Sequence, residues 1–111
     1  MHTTAHVDNG LISPGCDVRG EVVRSVLGPG VVVEEGASVH DAVLLGSAKV
    51  EKGAQVHFAI VDEGAVVGRE ARVGAPAQQG VQPELTLVGM DVAVAAGRHV
   101  EAGAALEPAD A

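Results

Sequence analysis

Two histidines that stand 17 positions apart, His40 and His57, are the first candidates for chemistry in this 111-residue chain. Each follows a valine, so the two imidazoles recur in the same setting. Such a pair is half of a zinc site, or the source of a base for acyl transfer. A zinc site takes three or four ligands, and the positions one repeat before and after are Val23 and Gly74. The spacing therefore reads as a ladder of surface side chains, and His2, His6 and His99 share no phase with it. The second chemistry is anion binding. Arg19 and Arg24 in DVRGEVVRSVL, and Arg69 and Arg72 in GREARVG, carry planar guanidinium forks that match the oxygens of a phosphate. The competing reading is an exposed arginine paired with Glu21 or another carboxylate.

Other groups read as structure. Cys16 is the only cysteine, so no disulfide can form within the chain, which fits a cytoplasmic setting. Its phase marks it as a small buried hydrophobe rather than a reactive thiol. Glu34 and Glu51 stack as like charges and Glu35 stacks on Lys52, exposed pairs that contribute little. They form no catalytic pair of carboxylates. The glycine-rich LGPGV at 27–31 has no adjacent lysine and reads as a corner of the chain rather than a phosphate loop.

What must position these groups is a repeat. Aliphatic side chains recur at Cys16, Val22, Leu27, Val33, Val39, Leu44, Val50, Val56, Val61, Val67 and Val73, in steps of six, five and six that close a 17-residue circuit. Two positions before each stands Pro14, Gly20, Ser25, Val31 or an alanine, small residues in nearly every case. Residues 34–50 and 51–67 share eight of 17 positions. A small residue two before an aliphatic one at this period describes a chain that turns three corners per coil. The fold expected is all-β, a parallel β-helix of hexapeptide repeats with coils of about 17 residues. Equivalent residues should lie about 4.8 Å apart along the axis, and adjacent coils stabilise each other because none buries its interior alone.

Composition agrees. One phenylalanine, Phe58, is the only aromatic residue beside 15 glycines, as suits a thin interior column. The formal charge of −8 leaves no basic face for nucleic acid. No stretch approaches the roughly 18 apolar residues of a membrane span. The opening MHTTAHVDNG lacks the basic start and apolar core of a signal peptide. Residues 1–10 read as a disordered lead-in, 11–106 as the β-helix, and 107–111 as a tail. Within the helix, GAPAQQGVQPE at 74–84 reads as an inserted loop, after which the phase resumes at Val88, Val94, Val100 and Leu106.

The order of motifs riding on the repeat resembles the C-terminal β-helix of bacterial glucose-1-phosphate adenylyltransferase, or ADP-glucose pyrophosphorylase. NGLISPGCDVRGEVVRSVL matches that family's entry segment, DAVLL its AVLL coil, HFAIVDEGAVVGREARVG its AIVD coil, and LTLVGMDVAVAAGRHVEAGAAL its final units. The resemblance covers about residues 9–106. Two features depart: the insertion reads APAQQGVQP where the family has an acidic and basic stretch, and Met90 stands where it has lysine.

The resemblance implies a left-handed helix, whereas general crossover rules favour the right hand. It implies a non-catalytic module for oligomerisation and regulation, a homo-oligomer, and an upstream nucleotidyltransferase domain that holds the Mg²⁺. It also implies a phosphorylated-sugar or phosphate effector, for which Arg24 is the leading candidate and Arg19, Arg69 and Arg72 the others. The parent reaction joins ATP and glucose 1-phosphate to give ADP-glucose and pyrophosphate for glycogen synthesis. No cofactor, nucleic acid or membrane is expected for these coils, and the compartment expected is the cytoplasm. The rival is a stand-alone hexapeptide-repeat acyltransferase, usually a trimer, with its catalytic histidine between subunits.

Overall fold

In the computed structural model, residues 6–75 and 84–107 are described, and every strand among them belongs to one three-sided parallel solenoid. Sheet A stacks His6–Asp8, Glu21–Val23, Ser38–His40, Gln55–His57, Arg72–Val73 and His99–Val100. Sheet B stacks Leu11–Ile12, Val26–Leu27, Val43–Leu44, Ala59–Val61, Thr86–Val88 and Ala105–Leu106. Sheet C stacks Asp17–Val18, Val32–Val33, Lys49–Val50, Val66–Val67 and Ala93–Val94. The chain visits A, B and C in turn, so each strand pairs with its counterpart in the next coil. The all-β, 17-residue solenoid expected from the repeat is what forms. Among the described residues no helix is long and apolar enough to cross a membrane.

The interior is three ladders of stacked aliphatics. Val22, Val39, Val56, Val73 and Val100 line sheet A; Leu27, Leu44, Val61, Val88 and Leu106 line sheet B; Val18, Val33, Val50, Val67 and Val94 line sheet C. Side chains alternate across a strand, so one residue per short strand points in and its neighbour points out. The small residues two before each rung sit at the corners, where Ala37, Ala42, Ala48, Ala54, Ala59, Ala65 and Ala71 are buried. Two of the buried positions two before a rung are hydroxylic, Ser25 and Thr86, and both are satisfied by the backbone. Ser25 Oγ donates to Val23 O at 2.8 Å and accepts from Ala42 N at 3.1 Å, and Thr86 Oγ1 accepts from Gly103 N at 3.2 Å.

The first coil corrects the phase given to Cys16. Through the middle coils the pairing offset is 17, as in Val22 with Val39 and Val39 with Val56. In the first coil it is 15: Val7 pairs with Val22, Ile12 with Leu27 and Val18 with Val33. The sheet C rung is therefore Val18, fully buried, and not Cys16. Cys16 stands two before it, at the small corner position, partly buried against the core with Sγ 3.1 Å from Gly28 O. The physical reason is a corner that is two residues short. Between sheets C and A the later coils carry four residues, such as 34–37, while the first carries only Arg19 and Gly20. That tight corner draws the backbone in, and a Cβ on Gly20 would lie 2.4 Å from Ala37 O and 2.7 Å from Glu34 O.

The coils also begin earlier than the expected Leu11, because His6–Asp8 already pairs with Glu21–Val23; residues 1–5 lie outside the described residues. Further along, Ala59 pairs with Thr86, an offset of 27 that adds ten residues to the coil path between sheets A and B. The inserted loop expected at 74–84 falls mainly on 76–83, outside the described residues. So do residues 108–111 of the expected tail.

Candidate functional site

Sheet A carries the polar side chains, and its corner with sheet B gathers them. His40 and His57 are register partners, with ring centroids 5.2 Å apart and planes at 64°. The stack follows from the repeat, which places both after an inward valine. His40 Nε2 meets Glu21 Oε1 at 2.5 Å, across one strand. His57 is more enclosed: its Nδ1 is buried with no hydrogen-bond partner. Burial pushes the His57 imidazole below its ordinary pKa, and the neighbouring His40 pushes the same way, while Asp41 pulls it up less.

The next residue along the chain turns the corner. Asn9, Arg24, Asp41 and Phe58 recur there with φ of 55°, 46°, 52° and 45°. Asparagine and aspartate tolerate this left-handed geometry, whereas arginine and phenylalanine strain in it. The shared conformation aligns the outward side chains of successive coils. Arg24 Nε donates to Asp41 Oδ1 at 2.7 Å and Arg24 Nη2 to Asp41 Oδ2 at 3.0 Å, a two-pronged ion pair. These hydrogen bonds hold the Asp41 carboxyl below the usual carboxylate range, against the opposing effect of burial. Asp41 was missed in the sequence; its signal is the opposite charge one repeat after Arg24.

The four candidate arginines are not brought together. Arg24 is at the corner of A and B, with its fork occupied by Asp41. Arg19 is at the corner of C and A, where Nε and Nη2 each lie 3.3 Å from the Asp17 carboxylate. A shallow cavity of about 290 Å³ there is lined by Asp17, Arg19, Val32, Glu34, Glu35 and Lys52, so carboxylates outnumber cations. Lys49 adds contacts to Glu34 at 3.6 Å and Glu51 at 3.9 Å. Arg69 and Arg72 are exposed, and neither makes an ion pair among the described residues. They lie directly over the next coil: Gly97 N donates to Arg69 O and Arg72 N to Arg98 O, both at 2.8 Å, and Arg72 is in register with His99. Arg69, Arg72 and His99 are thus exposed on two adjacent coils, whereas Arg98, half-buried, stands at the position of the buried Ala71.

No group of three or more His, Cys, Asp or Glu among the described residues is placed to hold a metal ion. The His40–His57 pair lacks a third ligand of its phase, since Val23 is the register partner of His40 on the preceding coil. These residues do not fit a Mg²⁺ site.

Comparison with known proteins places this geometry. The profile of the GlmU-like, C-terminal hexapeptide family matches residues 1–94. A glucose-1-phosphate adenylyltransferase of Desulfitobacterium hafniense is 31% identical over 104 residues, covering 89% of this chain and 25% of that protein. Proteins of the same name from Bacillus cereus and Bacillus mycoides are 43% identical over 66 residues, covering 60% of this chain and 16% of theirs. The chain spans at most about a quarter of the length of these curated relatives. No solved structure matches it at a significant level.

Proposed function

Because the chain belongs to the GlmU-like, C-terminal hexapeptide family, we propose that it is the non-catalytic assembly and regulatory domain of a glucose-1-phosphate adenylyltransferase-like protein. The observation that carries this reading is the continuity of the solenoid. From His6 to Leu106 the described strands are rungs of one stack, and its interior is filled by aliphatics instead of enclosing a cleft. Relatives of that name over the same stretch support it. Formation of ADP-glucose from ATP and glucose 1-phosphate, with its Mg²⁺, belongs in this reading to a nucleotidyltransferase domain, and the whole protein works in the cytoplasm.

The regulatory half rests on arginine geometry. Binding a phosphorylated sugar or phosphate at Arg24 or Arg19 would require displacing a carboxylate already in place. Arg72, in register with His99, and the nearby exposed Arg69 are better suited to an anion, because no carboxylate among the described residues is ion-paired to either.

Thermal melting of the chain with millimolar inorganic phosphate, and separately with a hexose bisphosphate, tests this half. The expected result is a melting temperature raised by a few degrees by mass action, with the rise lost in Arg72→Glu and kept in Arg19→Glu. No shift with either anion would overturn the regulatory assignment. ADP-glucose formation above blank by the chain alone would overturn the non-catalytic one.

A further inference from the structure

Asn9 is the only asparagine in the chain, and Gly10 follows it. No aspartate precedes a glycine. Position 9 is therefore the one place where such a short side-chain carbonyl stands before a backbone nitrogen that no Cβ shields. Asparagine is a thermolabile residue, and this is the neighbour that hinders its chemistry least.

The fold sets this pair at a loosely held corner. Asn9 is exposed at the A–B turn of the first coil, with φ of 55°. Its equivalents are tied to the coil before them: Arg24 N donates to Asp8 O at 2.8 Å, and Asp41 N to Val23 O and Phe58 N to His40 O at 3.0 Å each. Asn9 has no coil before it among the described residues, and neither its N–H nor that of Gly10 is hydrogen-bonded there. The pair spans two pinned points, the Asp8 carbonyl and Leu11 N, which donates to Ser25 O at 3.0 Å. A corner held from one side opens at the low end of the stability range. In the left-handed conformation Cβ lies opposite the following nitrogen, so attack on the side chain waits for that opening.

We propose that Asn9 is a self-modifying site, at which the chain loses its one asparagine amide. The Gly10 nitrogen attacks Asn9 Cγ and gives up its proton to the departing amide nitrogen, which leaves as ammonia, and a succinimide ring closes. Water then opens the ring. Cleavage of the new bond to Cγ gives aspartate on the original backbone. Cleavage of the bond to the backbone carbonyl gives isoaspartate, whose chain runs through the side chain. The register of Asp8 with Val23 sets residue 9 beside Arg24, so the aspartyl product adds a carboxylate on the side away from Asp41. The isoaspartyl product adds a backbone carbon to a span with fixed ends. Gly10 has little room to absorb it, since a Cβ there would lie 3.0 Å from Val7 Cγ1 and 3.4 Å from Val22 Cγ1. That product releases His6–Asp8 from the stack, while the aspartyl product keeps it paired.

Anion-exchange chromatography with peptide mass mapping tests the site in the full folded chain, held at about pH 8 and about pH 6. Asn9→Gly, whose glycine accepts the positive φ, and Asn9→Asp, the marker of the aspartyl product, run beside it. Enzymatic methylation of isoaspartyl carboxyls measures the other product. The wild type is expected to gain one negative charge, several-fold faster at the higher pH because the attacking nitrogen must lose its proton. Asn9→Gly is expected to stay unchanged. In isoaspartyl chains the Arg24 amide, bonded to Asp8 O, should exchange with solvent several-fold faster than in Asn9→Asp. The same charge gain in Asn9→Gly would assign the loss to one of the glutamines and overturn the site. A wild type that changes only when unfolded in urea would show that the corner shields Asn9, and would also overturn it. Equal Arg24 exchange in both products would overturn the release of the first strand.

Discussion

His40 and His57 occupy equivalent places on successive coils, their ring centroids 5.2 Å apart, yet their surroundings differ. His40 has Glu21 at 2.5 Å, while His57 keeps a buried Nδ1 with no hydrogen-bond partner. His40 lies against a carboxylate, whereas burial and the neighbouring imidazole push the pKa of His57 below its ordinary value.

Stability should therefore fall on acidification. The His57 pKa is depressed in the folded chain, so near neutrality the unfolded chain takes up the proton first. This contribution is fully present above the unfolded value of about 6.5 and is lost as the pH drops below it. Melting temperatures measured from pH 8 to pH 5 should decline, and His57→Asn should flatten the decline. An equal decline in the variant would show that another group is responsible.

Val18 and Cys16 separate the two possible phases of the first coil. Val18→Ala removes a fully buried rung and should cost about 2 kcal/mol. Cys16→Ala gives up only a partly buried thiol at a corner and should cost under about 1 kcal/mol. Denaturant titrations of the two variants give the comparison; the reverse order would restore Cys16 to the rung.

Gly20→Ala should be severe, because Gly20 is buried at the short corner. The added methyl meets two carbonyl oxygens of the next coil, and overpacking against backbone costs about 2–3 kcal/mol. For a domain of this size the melting temperature should drop by roughly 10–20 °C.

Glu70→Gly should stabilise. Glu70 has φ of 57° at the corner where its equivalents Gly36, Gly53 and Gly97 have 78°, 74° and 73°. Relieving the left-handed strain is worth about 1–2 kcal/mol, offset in part by the greater freedom of glycine in the unfolded chain. A net gain of about 0.5–1 kcal/mol should appear in the denaturation midpoint.

Much of this was legible because the repeat is strict where it matters. Val39 and Val56 fixed the inward phase, and the histidines that follow them had to stack. The first coil was harder, because Cys16 and Val18 both satisfy an aliphatic pattern and only the short corner at Arg19–Gly20 decides between them. The partner of Arg24 was visible in principle at Asp41, 17 positions on. That both reach out with positive φ was not, since arginine carries no sign of the left-handed region.

Coil lengths of 15, 17, 27 and 18 residues sit in one stack. Neighbouring coils are therefore compared only at three short strands, and everything between those checkpoints is free to change length. Such a chain can be edited at its corners without renumbering its interior. New function can be grafted at a corner, as at the A–B turn where ten extra residues enter, while the ladders on either side continue as before.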